Sequence, residues 1–241
     1  MSIADHNALV SSCQYGFKKL IEHLIQYKEV DMSFTTHGGE TLLEEFLSGI
    51  EEGYKNNEIL EIVDLLINKA KEQNKLKELL ISKNTSESLS LFFAAFIEDK
   101  DTACKLIDNL IMTSNLVDIN LLKYSGNLLV ASLKRDDDNV QDIFLHLLKY
   151  TDNLDHKAQG NLIKEALDYC ASKNLIDDAK FIIDQTKDII SAEYKGGSIE
   201  IIAPARITSY HLGLEGINFE TKYEDYLTKI LGEDPFVLEE E

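Results

Sequence analysis

Apolar residues along this chain recur as doublets on a helical period. Leu20-Ile21 and Leu24-Ile25 set the pattern, and it returns in Ile62-Val63 with Leu65-Leu66, in Leu106-Ile107 with Leu110-Ile111, and in Ile143-Phe144 with Leu147-Leu148. A last version runs through Ile176, Ala179, Ile182 and Ile183. Doublets three or four residues apart make a stripe broad enough to face two neighbours at once. Ahead of each stripe lies a shorter apolar segment, anchored in turn by Leu9, Leu43, Leu91, Leu129 and Ile163, with Ser12, Phe46, Ala94, Ser132 and Ala166 three positions further on. The steps between anchors are 34, 48, 38 and 34 residues. The longest step holds two polar insertions, residues 49–57 and 71–75 onward, which read as edge loops. One such helix pair cannot bury its own stripe, but a stack of pairs can. The pattern predicts an all-α chain, an α-solenoid of five stacked helix-turn-helix units at about 1–34, 35–82, 83–120, 121–154 and 155–187.

The loops share a grammar as well. Val30-Asp31-Met32-Ser33 leads through Gly39 to Thr41-Leu42-Leu43, and Val117-Asp118-Ile119-Asn120 leads through Gly126 to Asn127-Leu128-Leu129. Thr41, Asn7, Asn127 and Asn161 stand where a side-chain oxygen would cap the first helix of a unit. Gly16 falls between the two helices of the first unit, where a positive φ is expected, and Gly39, Gly126 and Gly160 precede the cap slots. In these features residues 1 to about 185 resemble the ankyrin repeat, a unit of about 33 residues with a T-P-L-H-x-A core. The family's Pro is missing from every unit, and Val10, Glu44, Val130 and Lys164 replace its His. The unit from about Ser88 to Met112 has no recognisable turn before it.

Residues 186–241 leave the period. Gly196 to Ala203 and Arg206 to Leu212 flank Pro204 as two β-prone runs, and Phe219, Tyr223, Tyr226, Leu227 and Ile230 are spaced as a helix face. A solenoid end needs a cap with one polar face, so a small mixed cap of hairpin and helix is expected over 186–241.

Charge narrows the function. With 24 Lys+Arg against 43 Asp+Glu the formal net charge is −19, which disfavours nucleic acid and anionic membrane as partners. The N-terminal residues carry no basic segment followed by an apolar run, and the most apolar window, Leu89 to Ile97, is far shorter than the ~20 residues of a membrane span. Cys13, Cys104 and Cys170 are odd in number and widely spaced, which suits reduced thiols in a cytoplasmic setting.

The sequence carries no recognisable catalytic or metal-binding pattern. Among six histidines none pairs at i, i+4, and no phosphate-binding loop or nucleophile elbow occurs, so no enzyme, cofactor or metal is expected. Cys170 and His156 are the one conceivable nucleophile and base, and the helical position of Cys170 favours packing. Asp136-Asp137-Asp138 lacks the ligand alternation of a calcium loop and reads as a solvated turn.

The expected job is therefore non-enzymatic protein–protein interaction by a monomer, through turn tips and first helices. The tip residues are Thr35, Thr36 and His37; Lys123, Tyr124 and Ser125; and His156 and Lys157 with Ala158 and Gln159. Tyr124 is the aromatic anchor, and a protein partner with a basic surface suits the acidic field. The resemblance also admits an effector sent into a host cytoplasm, since stand-alone proteins of this family include such molecules. The alternative is an enzyme or toxin whose active part lies in 186–241, around Arg206, Tyr210, His211 and Glu215, with the repeats as targeting arm.

Overall fold

The computed structural model describes residues 3–27, 30–50, 55–82, 90–116, 127–154 and 156–195. Among them are eleven helices: α1 (Ile3–Gln14), α2 (Lys18–Ile25), α3 (Leu42–Ser48), α4 (Asn56–Glu72), α5 (Leu76–Leu80), α6 (Ser90–Ala95), α7 (Lys100–Asn115), α8 (Leu128–Ser132), α9 (Val140–Thr151), α10 (His156–Lys173) and α11 (Ile176–Lys195). The described residues contain no strand, only one isolated antiparallel bridge between Thr35 and Thr41. The described residues are all-α. Two compact units, Met1–Ile143 and Phe144–Glu241, divide within α9.

Within the first unit α1 packs with α2, α3 with α4 and α6 with α7. First helices then touch first helices, α1 to α3, α3 to α6 and α6 to α8, while second helices touch second helices, α2 to α4 and α4 to α7. The anchors Leu9, Leu43, Leu91 and Leu129 are at most 1% exposed, and Ser12, Phe46, Ala94 and Ser132 three positions on are equally buried. Burying an aliphatic side chain of this size contributes roughly 1.5–3 kcal/mol, so the anchor row is a principal source of cohesion. The two buried hydroxyls satisfy themselves locally: Ser12 Oγ donates to the Ala8 carbonyl at 2.6 Å and Ser132 Oγ to the Leu129 carbonyl at 2.8 Å. Polar contacts across the second helices accompany the apolar ones, Lys18 with Glu61, Asn109 Nδ2 to Asp64 Oδ1 at 2.7 Å, and Lys100 Nζ to Asp142 Oδ2 at 2.7 Å.

Helix ends show why the chain turns where it does. After α1, α4 and α10 the chain passes through Gly16, Asn74 and Asn174 at φ 61°, 56° and 57°. In each case the next N–H reaches back five residues, Phe17 to Ser12, Lys75 to Ala70 and Leu175 to Cys170, at 2.8–2.9 Å. Glycine and asparagine are the residues that tolerate this left-handed cap. At the other end, Thr41 and Glu44 close a capping box on α3, with Glu44 N donating to Thr41 Oγ1 at 3.2 Å and Thr41 N to Glu44 Oε2 at 2.8 Å. Glu44 is thereby fully buried and used. Asn127 caps α8 by accepting from Leu129 and Val130 N–H at 3.0 and 3.3 Å.

Several expectations need correction. Asn7 and Asn161 are not caps, because α1 begins at Ile3 and α10 at His156, so both lie inside helices, as does Gly160. The insertion after α4 is not merely polar loop: Leu76, Leu79 and Leu80 form α5 and are buried against α3 and α4. Leu20 does not join its stripe and is 42% exposed, leaving Ile21 and Ile25 to face inward. The break expected at 186 falls within α11, which runs to Lys195 because no Gly or Pro interrupts it before Gly196. The proposed hairpin and helix beyond it lie outside the described residues.

In the second unit α10 packs along α11, burying Ile163, Ala166, Leu167 and Cys170 against a face that includes Ala179, Ile182 and Ile183. Thr186 is buried with its hydroxyl donating to the Ile182 carbonyl at 2.7 Å, and Phe144 meets Phe181 edge-on with centroids 6.1 Å apart.

Candidate functional site

Two edges of the first unit present loops, and chain direction separates them. The turn before α3 lies at the N-terminal ends of first helices, whereas the connections α3–α4, α6–α7 and α8–α9 lie at their C-terminal ends.

The turn at residues 30–41 is closely tied. Asp31 Oδ1 accepts from the Ser33 N–H at 2.9 Å and the Ser33 hydroxyl at 2.7 Å. Thr36 N donates to the Glu40 carbonyl at 2.9 Å, and the Thr36 hydroxyl donates to the Glu40 carboxylate. That hydroxyl and Glu40's own backbone N–H hold the Glu40 carboxyl below its ordinary range. From α4's end Gln73 clamps the same turn, accepting from Met32 N–H at 3.0 Å and donating to the Val30 carbonyl. Ser82 Oγ donates to the Gly39 carbonyl at 2.8 Å. Of the expected tip residues, Thr35 and Thr36 are half-buried and engaged in the turn, and His37 is exposed at its apex. Lys123, Tyr124 and Ser125 lie outside the described residues. His156 and Lys157 are not on a turn; they begin α10, and Gln159 in the same first turn is buried, donating to Thr151 Oγ1 at 3.0 Å and Asp152 Oδ1 at 3.1 Å. The structure thus gathers only Thr35, Thr36 and His37 at a described tip.

The inter-helix edge is built around a residue the sequence reading missed. Arg135 follows α8, and its side chain is only 2% exposed. Its guanidinium donates to the carbonyls of Ala95, of Ile97 at 2.9 Å and of Glu98 at 3.4 Å, while Nε donates to Asp137 Oδ1 at 3.1 Å and Nη2 pairs with Asp137 Oδ2. The last carbonyls of a helix have no partner within it, so Arg135 serves as the C-terminal cap of α6 supplied from the next pair. Burial by itself would raise the Asp137 carboxyl; hydrogen bonds from Arg135 and from the Asn139 N–H outweigh it and hold the group below its usual range. Asp137 therefore has a structural role, while its neighbours Asp136 and Asp138 are exposed as a solvated turn would have them.

Around this pin lies an open groove of about 1110 Å³. Its apolar lining includes Leu47, Ile50, Ile59, Phe93, Phe96 and Ile97. Its acidic lining is Glu98, Asp99 and Asp101 from the α6–α7 connection and Asp136, Asp137 and Asp138 from the α8–α9 connection. Asp99 is occupied as the cap of α7, accepting from the Thr102 N–H at 2.9 Å and hydroxyl at 2.7 Å. The two cations of the lining, Arg135 and Lys100, are committed to Asp137 and Asp142. Glu98, Asp101, Asp136 and Asp138 remain exposed, with no ion pair among the described residues. Phe96 is 37% exposed and stacks on Phe92 with centroids 4.7 Å apart, placing a supported aromatic surface at the groove.

Two of the three thiols, Cys13 and Cys170, are buried. Burial pushes Cys13 up to about 12, with Glu45 adding to it, and Cys170 likewise to about 12, with Asp178 adding to it. Neither forms the thiolate that nucleophilic chemistry requires near neutral pH. The groups invoked for an enzyme or toxin, Arg206, Tyr210, His211 and Glu215, lie outside the described residues. No helix among the described residues is long and apolar enough to cross a membrane. No family model, curated protein or solved structure matches the chain, so the functional argument rests on the geometry of its paired helices and of the groove they frame.

Proposed function

We propose that this chain is a non-enzymatic protein-interaction module, its helix pairs stacked as degenerate ankyrin-like repeats that hold exposed connections in fixed register for a protein partner. The observation that carries the reading is the recurrence of one environment: anchors at 9, 43, 91 and 129 are all buried in first helices that touch consecutively. A stack of that kind gains its stability from apolar faces between neighbours, which leaves the loop side chains free for recognition. A basic protein surface is the favoured partner, because the acidic field accelerates encounter with positive charge in a salt-dependent manner.

Photo-crosslinking tests the reading. A photoreactive phenylalanine analogue is placed at His37, at Phe96 or at Met112, the last being 68% exposed on a second helix. The module reading expects a discrete protein adduct from His37 or Phe96 and none from Met112. Adducts equally distributed over all three positions, or none at either edge, would contradict it.

A further inference from the structure

We propose that the groove at the inter-helix edge, and not the turn tips, receives the partner, and that the occupant is a lysine- or arginine-bearing segment of a protein with one apolar side chain seated on Phe96. This rests on the reading of the chain as an interaction module and adds the surface and the chemistry it selects.

Charge complementarity decides the occupant. Glu98 and Asp101 come from one connection and Asp136 and Asp138 from the next, all exposed, and both lining cations are already paired. A cationic side chain entering here meets four carboxylates that make no salt bridge among the described residues, with Lys100 offsetting Asp101 only at a distance, while an anionic segment meets like charge. The groove's apolar lining adds a second requirement. Phe96 is held by Phe92, and Ile97 in the same lining is buried. Aromatic surface at the centre of a polar rim is the usual composition of an interface hot spot. Arg135 fixes the relative placement of the two acidic connections by bonding the carbonyls of 95, 97 and 98 from position 135. The rim is thus preorganised, which reduces the entropy lost on binding. The tip at residues 35–37 offers less: the Thr36 hydroxyl is engaged within the turn, Thr35 is half-buried at its backbone bridge to Thr41, and only His37 is exposed.

The test is fluorescence anisotropy with the full chain and two labelled peptides, one alternating Lys and Arg around a central Leu, the other identical but with Ser in place of Leu. Three variants are compared with the parent: a quadruple Glu98→Gln, Asp101→Asn, Asp136→Asn, Asp138→Asn; Phe96→Ala; and His37→Ala. All changed side chains are exposed, and circular dichroism confirms that each variant folds. The quadruple variant is expected to weaken both peptides about tenfold or more at low salt, and Phe96→Ala to weaken the Leu peptide about fivefold while sparing the Ser peptide. His37→Ala should leave both unchanged. Equal affinity of the two peptides for every protein would mean non-specific attraction to a polyanion and overturn the proposal. Binding that follows His37 and ignores the groove would overturn this assignment and leave the module reading standing; binding to neither peptide would remove the groove's proposed occupant, with the crosslinking result deciding the broader reading separately.

Discussion

The two edges of the first unit use polar side chains in opposite ways. At the turn before α3, Asp31, Thr36, Glu40, Thr41, Glu44 and Gln73 are all bonded within the turn or to its neighbours. At the inter-helix edge one buried cation does most of the structural work, and four carboxylates are left facing solvent. A loop that consumes its own polar groups is rigid but has little to offer a partner. A loop pinned from below by a single side chain can keep its outer groups for recognition.

Breaking the pin should have the largest effect. Arg135→Met leaves the Ala95 and Ile97 carbonyls without their donor and Asp137 without its cation, and should cost about 3 kcal/mol in urea denaturation. It should also weaken any groove ligand, which a tip variant of equal instability would not. At the tip, Thr41→Ala removes one half of the capping box and should cost about 1 kcal/mol, with binding at the groove unchanged. A loss from Thr41→Ala as large as that from Arg135→Met would mean that the tip, not the pin, organises this unit.

Much of this architecture was legible. Apolar anchors at near-regular spacing showed the pairs, and the Thr41 and Asn127 caps stood beside them, because burial and capping are written in residue type. Arg135 was not legible, since its main partners are backbone carbonyls some 37–40 positions earlier, and a carbonyl has no letter of its own. Gln73 escaped for the same reason: it reads as part of a polar insertion, yet it clamps Val30 and Met32 across 43 and 41 positions. A signal for α5 did exist in Leu76, Leu79 and Leu80, whose helical spacing was masked by the charged residues around them. Asn161 misled because in the sequence alone a good capping residue looks the same inside a helix as before one; only the upstream start of α10 at His156 distinguishes the cases.

A smaller effect separates the second unit from the first. Burial raises Asp168 on α10 to about 6, with Lys164 opposing and Glu165 adding. Its folded value lies above its unfolded one, so the folded state binds more protons between about pH 4 and 6, and stability falls as pH rises through that window. With allowance for its partial exposure, Asp168→Asn should stabilise the chain by about 1 kcal/mol at pH 7 and by almost nothing at pH 4, read from thermal unfolding. The smallest effect is expected at the surface pair of Lys18 and Glu61, where Lys18→Met should leave the unfolding midpoint nearly unchanged because both side chains reach solvent. A large loss there would show that polar contacts between second helices matter more than the apolar rows.

The consecutive contact of first helices is the claim on which the rest depends, and methyl NMR on the full chain measures it directly. With Leu and Ile methyls labelled, cross-peaks should link α3 to α6 and α6 to α8, carried by Leu42, Leu43, Leu91, Leu128 and Leu129. A spectrum in which the Leu91 methyls reach neither α3 nor α8 would contradict that consecutive contact.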